Sequence, residues 1–592
     1  MPFTARSLIA IAVSLLSVAA TNPAVPKFGE TVEVSIVNVE VFVTDRNGNR
    51  VRGLTRDDFE MRESGKKQEI SNFAEYSSAV EGGGATVAGT DPAESEAPRQ
   101  NRTFVVFLER MHLARFQAEP LVASIKDVLH KSLGPEDIVS LVVWDKFKTE
   151  HVAFTDDLTL VDQSLDDYAA HASAAQVDET RQLRDEMRTL EGVAATGQSD
   201  EGGGGVALGG FTPARTTVTP VTDPKLVSTV AGDALGASAV LPMMTAWAEM
   251  NLRVAAINST IDTMAAGEGK KILLLGTRRL GEVAGAEFAH HAGSTRIPTE
   301  YRQRFNTEEL TKSIVDNANS SGVTIYPVFP QGLVSSFPDS SVGNVTLPSG
   351  GESMNVGVSP MADSLTLLNE TANLARIAER TGGLTAASVA DVVKLMPQIA
   401  SDATDYYSLA YKVSSNGEDR VRNVEVRTKN RDLTVRTRHQ FVEKSDTTRM
   451  KDRLRSALFG ASGEPAIPIT ATLGASKARG RRLAMPLSVQ VPIRALTAVP
   501  QDGRYSGAFS VYVASAADLD ELSDFTQKTQ PYEFAEAQAD QAMAGHFTYD
   551  LDLEVNEKAR YVAVGVLDEV SKAWGVVRLD LKAAQETQTA TP

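Results

Sequence analysis

The chain has 592 residues, 42% of them hydrophobic and 23% charged. That is the composition of folded globular protein, too apolar for general disorder, and at about 150 residues per domain it predicts roughly three to five domains. Lys and Arg number 59 against 76 Asp and Glu, a formal net charge of −17; so acidic a balance argues against nucleic acid or an anionic membrane surface as partner. The absence of cysteine excludes disulfides, thiol catalysis, cysteine-ligated zinc and a lipidated N-terminal cysteine.

Residues 1–20 read as a signal peptide. Arg6 is their single charge, and Leu8 to Ala20 is an almost unbroken apolar and small run. At about 13 residues it is too short to span ~30 Å of hydrocarbon. Val18-Ala19-Ala20 places small residues at the −3 and −1 positions of a cleavage site. No other run reaches about 18 apolar residues, so the mature chain is expected to lack a transmembrane segment and to be periplasmic or secreted.

Thr31 to Thr44 alternates, with Val32, Val34 and Ile36 on one parity and Val37, Val39, Val41 and Val43 on the other. The change of parity predicts a bulge or bend near Ile36-Val37. Asp45-Arg46-Asn47-Gly48-Asn49 is a turn signal. It has a hint of a calcium loop but lacks the later bidentate acid. Phe59 to Arg62 and Gln68 to Phe73 read as strands around a turn at Glu63 to Lys66, and residues 79–100 as a polar, Gly-rich linker.

Between 101 and 402 the rhythm alternates between strand and helix. Thr103 to Leu108, Ile138 to Trp144, Ile272 to Leu275 and Val323 to Val328 are short apolar runs. Among the helical stripes, Trp247, Met250, Val254, Ile257, Ile261 and Met264 step by three and four, and others follow at Leu121 to Leu129, Leu310 to Ala318, Leu374 to Ala378 and Val389 to Ile399. Strands too apolar to have a wet face predict a doubly wound, mostly parallel, Rossmann-like sheet covered on both sides. Insertions are expected at 170–241, with a charged helix candidate at Val177 to Glu191 and a Gly-rich tract at Gly202 to Gly210, and at 331–363.

Alternation returns after residue 405. Tyr407, Leu409, Tyr411 and Val413 share a face, and Leu433, Val435, Thr437, His439 and Phe441 share another. Segments 28–78 and 405–443 each offer too few strands for a sandwich alone; they are predicted to join into one, from which the α/β unit projects. Residues 484–582 predict a separable C-terminal β-sandwich, preceded by a polar, Arg-rich stretch, Ala475 to Arg482, and followed by a tail at 583–592.

The order of several short motifs resembles the von Willebrand factor A-related proteins of acidobacterial type. They are Val39 to Asp45 with Gly53 to Phe59, Gly134-Pro135-Glu136-Asp137, Phe154-Thr155-Asp156-Asp157, Gly269 to Leu275, Ile377 to Gly383 and Tyr406 to Tyr411. The resemblance implies a doubly wound A domain with flanking β structure. It also implies where a divalent cation would sit: at an Asp-x-Ser-x-Ser loop after the first strand and an Asp after the fourth. Here the first loop reads Glu109-Arg110-Met111-His112-Leu113, and Thr277 stands in the fourth-strand Asp position, followed by Arg278 and Arg279. A hard cation needs oxygen ligands that these residues no longer supply, so a degenerate site without metal or cofactor is expected. In A domains the two loops meet, which predicts Arg278 or Arg279 beside Glu109, neutralising it in place of a cation.

Other motifs carry less. Gly267-Glu268-Gly269-Lys270-Lys271 precedes a strand instead of following one and reads as a helix stop; the adjacent His290 and His291 read as a solvated pair; neither Gly-x-Ser-x-Gly nor His-Glu-x-x-His occurs. The resulting expectation is an exported, non-catalytic protein that binds other proteins. The alternatives are a cation-dependent adhesion protein with an unusual site, or an extracytoplasmic hydrolase with scattered catalytic residues.

Overall fold

The computed structural model describes residues 33–76, 101–110, 115–145, 148–171, 236–267, 269–277, 280–291, 297–328, 360–386, 389–415, 417–460, 465–501, 503–517 and 525–582, with a few two-residue pieces between them. The signal-peptide reading, the helix candidate Val177 to Glu191, the tract Gly202 to Gly210 and the tail at 583–592 lie outside the described residues.

The first strands are β1 (Glu33–Thr44), β2 (Phe59–Glu63), β3 (Lys66–Gln68) and β4 (Asn72–Tyr76). Val37, Val39, Val41 and Val43 are buried on one face of β1, while Ile36 is 54% exposed. The expected bulge at Ile36-Val37 is absent: the register against Tyr406–Ser415 runs unbroken from Glu33 opposite Ser415 to Val41 opposite Tyr407. The parity change is accommodated by leaving Ile36 in solvent. The turn after β1 is tied by the Asp45 carboxylate, which accepts the backbone N–H groups of Asn47 and Asn49, both at 2.8 Å. The Asn49 side-chain amide, which donates to the same carboxylate at 3.1 Å, and these backbone bonds hold its pKa below the usual carboxylate range.

The central unit comprises β5 (Arg102–Glu109), α1 (Arg115–Ser132), β6 (Ile138–Asp145), β7 (Lys148–Thr155), α2 (Leu158–His171), α3 (Gly236–Met264), β8 (Lys270–Gly276), α4 (Glu308–Ser321), β9 (Val323–Val328), α5 (Pro360–Thr381) and α6 (Val389–Thr404). Its sheet runs β9-β8-β5-β6-β7. The first four strands are parallel, and β7 is an antiparallel edge. Alternate residues feed opposite cores, as the two-residue period requires. Val105, Phe107, Leu273 and Leu275 pack with Met250, Val254, Ile257 and Ile261 of α3 and with α4 and α5. Phe104, Val106, Leu108, Ile272 and Leu274 pack with α1, α2 and α6. With both faces covered, the four parallel strands have no wet face, whereas the edge strand β7 exposes Glu150 and His151. The expected α3 stripe is buried from Met250 to Met264, but Trp247 is 38% exposed.

Next come β10 (Tyr406–Ser415), β11 (Arg420–Thr428), β12 (Thr434–Thr437) and β13 (Gln440–Glu443). They interleave with the N-terminal strands: one sheet contains β12-β1-β10-β4 in that order, the other β13-β11-β2-β3. Val39, Val41, Met61, Leu409, Tyr411 and Val426 close a shared core between them. Two-residue strands at Ala85–Thr86 and Glu96–Ala97, within the expected linker, extend the first sheet beyond β4.

This pair of sheets meets the amino ends of the central strands through a buried polar junction. Lys270, fully buried, donates to the Asp402 carbonyl at 2.6 Å and lies over the rings of Tyr406 (3.9 Å) and Phe42 (4.4 Å). Arg436 and Arg50 both reach the Asp402 carboxylate. Lys271 donates to the carbonyls of Ala265 and Ser321, at the ends of α3 and α4, a favourable place for a cation. Burial pushes the Lys270 amine down to about 8 and that of Lys271 to about 7.

Helix α7 (Asp446–Leu458) leads into β14 (Thr470–Leu473), β15 (Lys477–Arg479), β16 (Arg482–Pro492), β17 (Val499–Gln501), β18 (Arg504–Ala516), β19 (Thr526–Ala535), β20 (His546–Asn556), β21 (Tyr561–Asp568) and β22 (Trp574–Asp580). One sheet gathers β14, β15 and β20 around β16; the other gathers β17, β18, β19, β21 and β22. Leu487, Val489, Phe509, Val511, Val564 and Val566 fill the space between. The expected boundary at 484 falls inside β16. β14 and β15 lie upstream of it, and the Arg-rich stretch is a hairpin with Lys477 opposite Ala484 and Gly480 at φ +63°. On the outer face Met450 and Leu454 of α7 meet Tyr512, Ala514 and Ala563 in the same core as α3. Gly565 permits that approach, since a Cβ there would come within 2.8 Å of Met450 Cε.

Candidate functional site

The carboxyl ends of β5 and β8 are adjacent because the two strands pair in register, Leu108 opposite Gly276. Gly276 has no room for a side chain; a Cβ would lie 2.7 Å from Leu108 Cδ2. The next residues along the strands, Glu109 and Thr277, therefore come together. Thr277 Oγ1 donates to Glu109 Oε2 at 2.8 Å. The opposing charge comes from α3. Arg253 Nη2 donates to Glu109 Oε1 at 2.7 Å, and its Nε lies 3.2 Å from both carboxylate oxygens. Arg253 is 1% exposed, Glu109 2% and Thr277 1%, so the pair is desolvated and shielded from salt.

The surroundings fix both partners. The Tyr168 hydroxyl of α2 donates to the Glu109 carbonyl at 2.9 Å, and burial raises its own pKa. The Arg253 guanidinium lies 5.3 Å from the centre of the Trp144 ring, a cation–π distance. Arg110 N–H donates to the Trp144 carbonyl at 2.8 Å, and the Arg110 side chain pairs with Glu150 of β7. Beside Arg253 a cleft edged by Ala246, Glu249, Gly285 and Glu370 encloses about 10 Å³, room for about one water.

Of the residues marked in the sequence, the structure joins Glu109 and Thr277 and turns Arg110 aside to the sheet edge. Met111, His112, Leu113, Arg278 and Arg279 lie outside the described residues. The arginine on Glu109 in the described structure is Arg253, which the sequence reading missed. Its signal was position: Arg253 is three residues after Met250 and four before Ile257, on the buried stripe of α3. Among the described residues no group of three or more His, Asp or Glu is placed to hold a metal ion.

No family model matches the chain, and no curated protein does. Two crystal structures of the pilus adhesin SpaC from Lactobacillus rhamnosus GG, one in an open conformation, align with a TM-score of 0.25 and 8% identity. The alignments cover 89% and 88% of this chain and 57% and 56% of the adhesin. The chain thus spans little more than half the adhesin's length, and a likeness this weak carries no argument.

Proposed function

We propose that the chain is an exported, non-catalytic protein-interaction protein whose central unit is of von Willebrand factor A type, with the metal position closed by a guanidinium. The observation that carries this reading is the buried Glu109–Arg253 pair, capped by Thr277, at the carboxyl end of the central strand. Both carboxylate oxygens already accept charged or hydroxyl donors, and a fixed guanidinium matches a carboxylate in shape and charge. A divalent cation would have to displace Arg253 from the carboxylate that it neutralises. The adjacency of β5 and β8, with their terminal residues in contact, agrees with the A-type arrangement. Export rests on the apolar run and small residues of positions 1–20. No described helix is long and apolar enough to cross a membrane.

The purified chain, used as bait on envelope and secreted fractions, should retain the same proteins in EDTA as in Mg²⁺. Retention in Mg²⁺ alone would favour the cation-dependent adhesion reading. Turnover on a hydrolase-substrate panel would replace the binding reading with an enzymatic one.

A further inference from the structure

A second feature lies between α4, α5 and the segments 280–291 and 297–306. It is a groove of about 720 Å³, inside the range of roughly 300–1,000 Å³ usual for ligand sites. Its floor includes the buried apolar side chains of Val283, Ile297 and Val315, and Leu368 of α5 stands in its lining 66% exposed. The walls carry Arg302, Lys312, Arg376 and Arg380 against two carboxylates, Glu282 and Glu308. Arg376 is held by Glu282 at 2.6 Å and Lys312 by Asp316 at 2.8 Å. Arg302 and Arg380 are exposed and have no ion-pair partner among the described residues. On a chain of net charge −17 this is a local reversal of sign, and it draws anionic groups.

An independent observation comes from Thr311, which lines the same groove. It is 1% exposed, yet its hydroxyl has no hydrogen-bond partner among the described residues. A helical threonine can return its hydroxyl to the carbonyl one turn back; this one does not. A buried polar atom left without a partner is destabilising, and a polar group entering the groove would relieve that.

We propose that this groove docks an acidic peptide segment of a partner protein, its carboxylates on Arg302 and Arg380 and an apolar side chain against Leu368 and Val315. The apolar floor and the exposed leucine separate this occupant from a simple anion, which would use the cations alone. The proposal stands apart from the Glu109–Arg253 closure and does not depend on it.

The test is fluorescence anisotropy of the full chain with a fluorescein-labelled peptide of mixed glutamate and leucine. A peptide of equal charge without leucine serves as control. Saturable binding is expected, weakened about tenfold by Arg380→Glu and by Arg302→Glu, and about tenfold weaker for the control peptide. Both arginines are on the surface, so an unchanged melting temperature verifies folding of the variants. No saturable binding, equal affinity of the charge-reversed variants, or equal affinity of the leucine-free peptide would each overturn the proposal.

Discussion

Replacing Arg253 with methionine removes the guanidinium while keeping most of the side-chain volume on α3. Glu109, 2% exposed, would then keep the Thr277 hydroxyl but lose the charge that neutralises it. Breaking one side of a buried ion pair costs about 3–5 kcal/mol, because the remaining charge stays desolvated. In a unit of about 300 residues, each kcal/mol shifts the melting temperature by roughly 1.5–2 °C, so Arg253→Met should lower it by roughly 5–8 °C. Replacing both partners, Glu109→Leu with Arg253→Met, should recover most of that loss, since an apolar pair of similar volume is close to neutral. Intrinsic fluorescence is a suitable probe, because Trp144 lies against Arg253. If Arg253→Met melts within about 1 °C of the parent, or the double variant loses the sum of the single losses, the pair is not the closure described.

Three further outcomes follow from the fold. A fragment of residues 484–582 lacks β14, β15 and the buried Ile467; it should show no cooperative unfolding by circular dichroism, whereas 446–582 should, and a cooperative melt of the shorter fragment would restore the boundary at 484. Lys270 and Lys271 titrate at about 8 and about 7 in the folded chain and at 10.5 when unperturbed. Between those values the unfolded state binds more protons, so denaturant midpoints should rise from about pH 7 to pH 10, with a smaller rise in Lys271→Met; a fall over that window would contradict the burial of the amines. Gly383 abuts β9, where a Cβ would lie 1.8 Å from the Ile325 carbonyl oxygen; Gly383→Ala should destabilise by about 1–3 kcal/mol in urea titration, and a neutral result would contradict that close approach.

The alternation of strand and helix between 101 and 402 was legible because burial on both faces keeps most positions of the four parallel strands apolar; the polar edge strand β7 gave no such signal. The α3 stripe was legible for the same reason, yet Arg253 escaped it. A search for apolar periodicity passes over an arginine even at a buried position, and its partner is 144 residues away in sequence. The carboxylate and hydroxyl of the closure were found from motif position; the guanidinium needed the packing of α3 on the sheet. The hairpin of β15 and β16 read only as a polar, Arg-rich stretch because β15 is an exposed edge, with Lys477, Ala478 and Arg479 all in solvent. Such strands carry charge to discourage further pairing, and with it they lose the apolar pattern by which strands are recognised. In β1 the exposed Ile36 mimicked a second buried face.

If Arg253 occupies the place of a cation, no divalent ion should bind at Glu109. Isothermal titration of the full chain with Mg²⁺, Mn²⁺ and Ca²⁺ tests it most directly. No saturable heat is expected with any of the three, in the parent and in Glu109→Ala alike. Saturable, stoichiometric binding of Mg²⁺ by the parent that Glu109→Ala abolishes would contradict it.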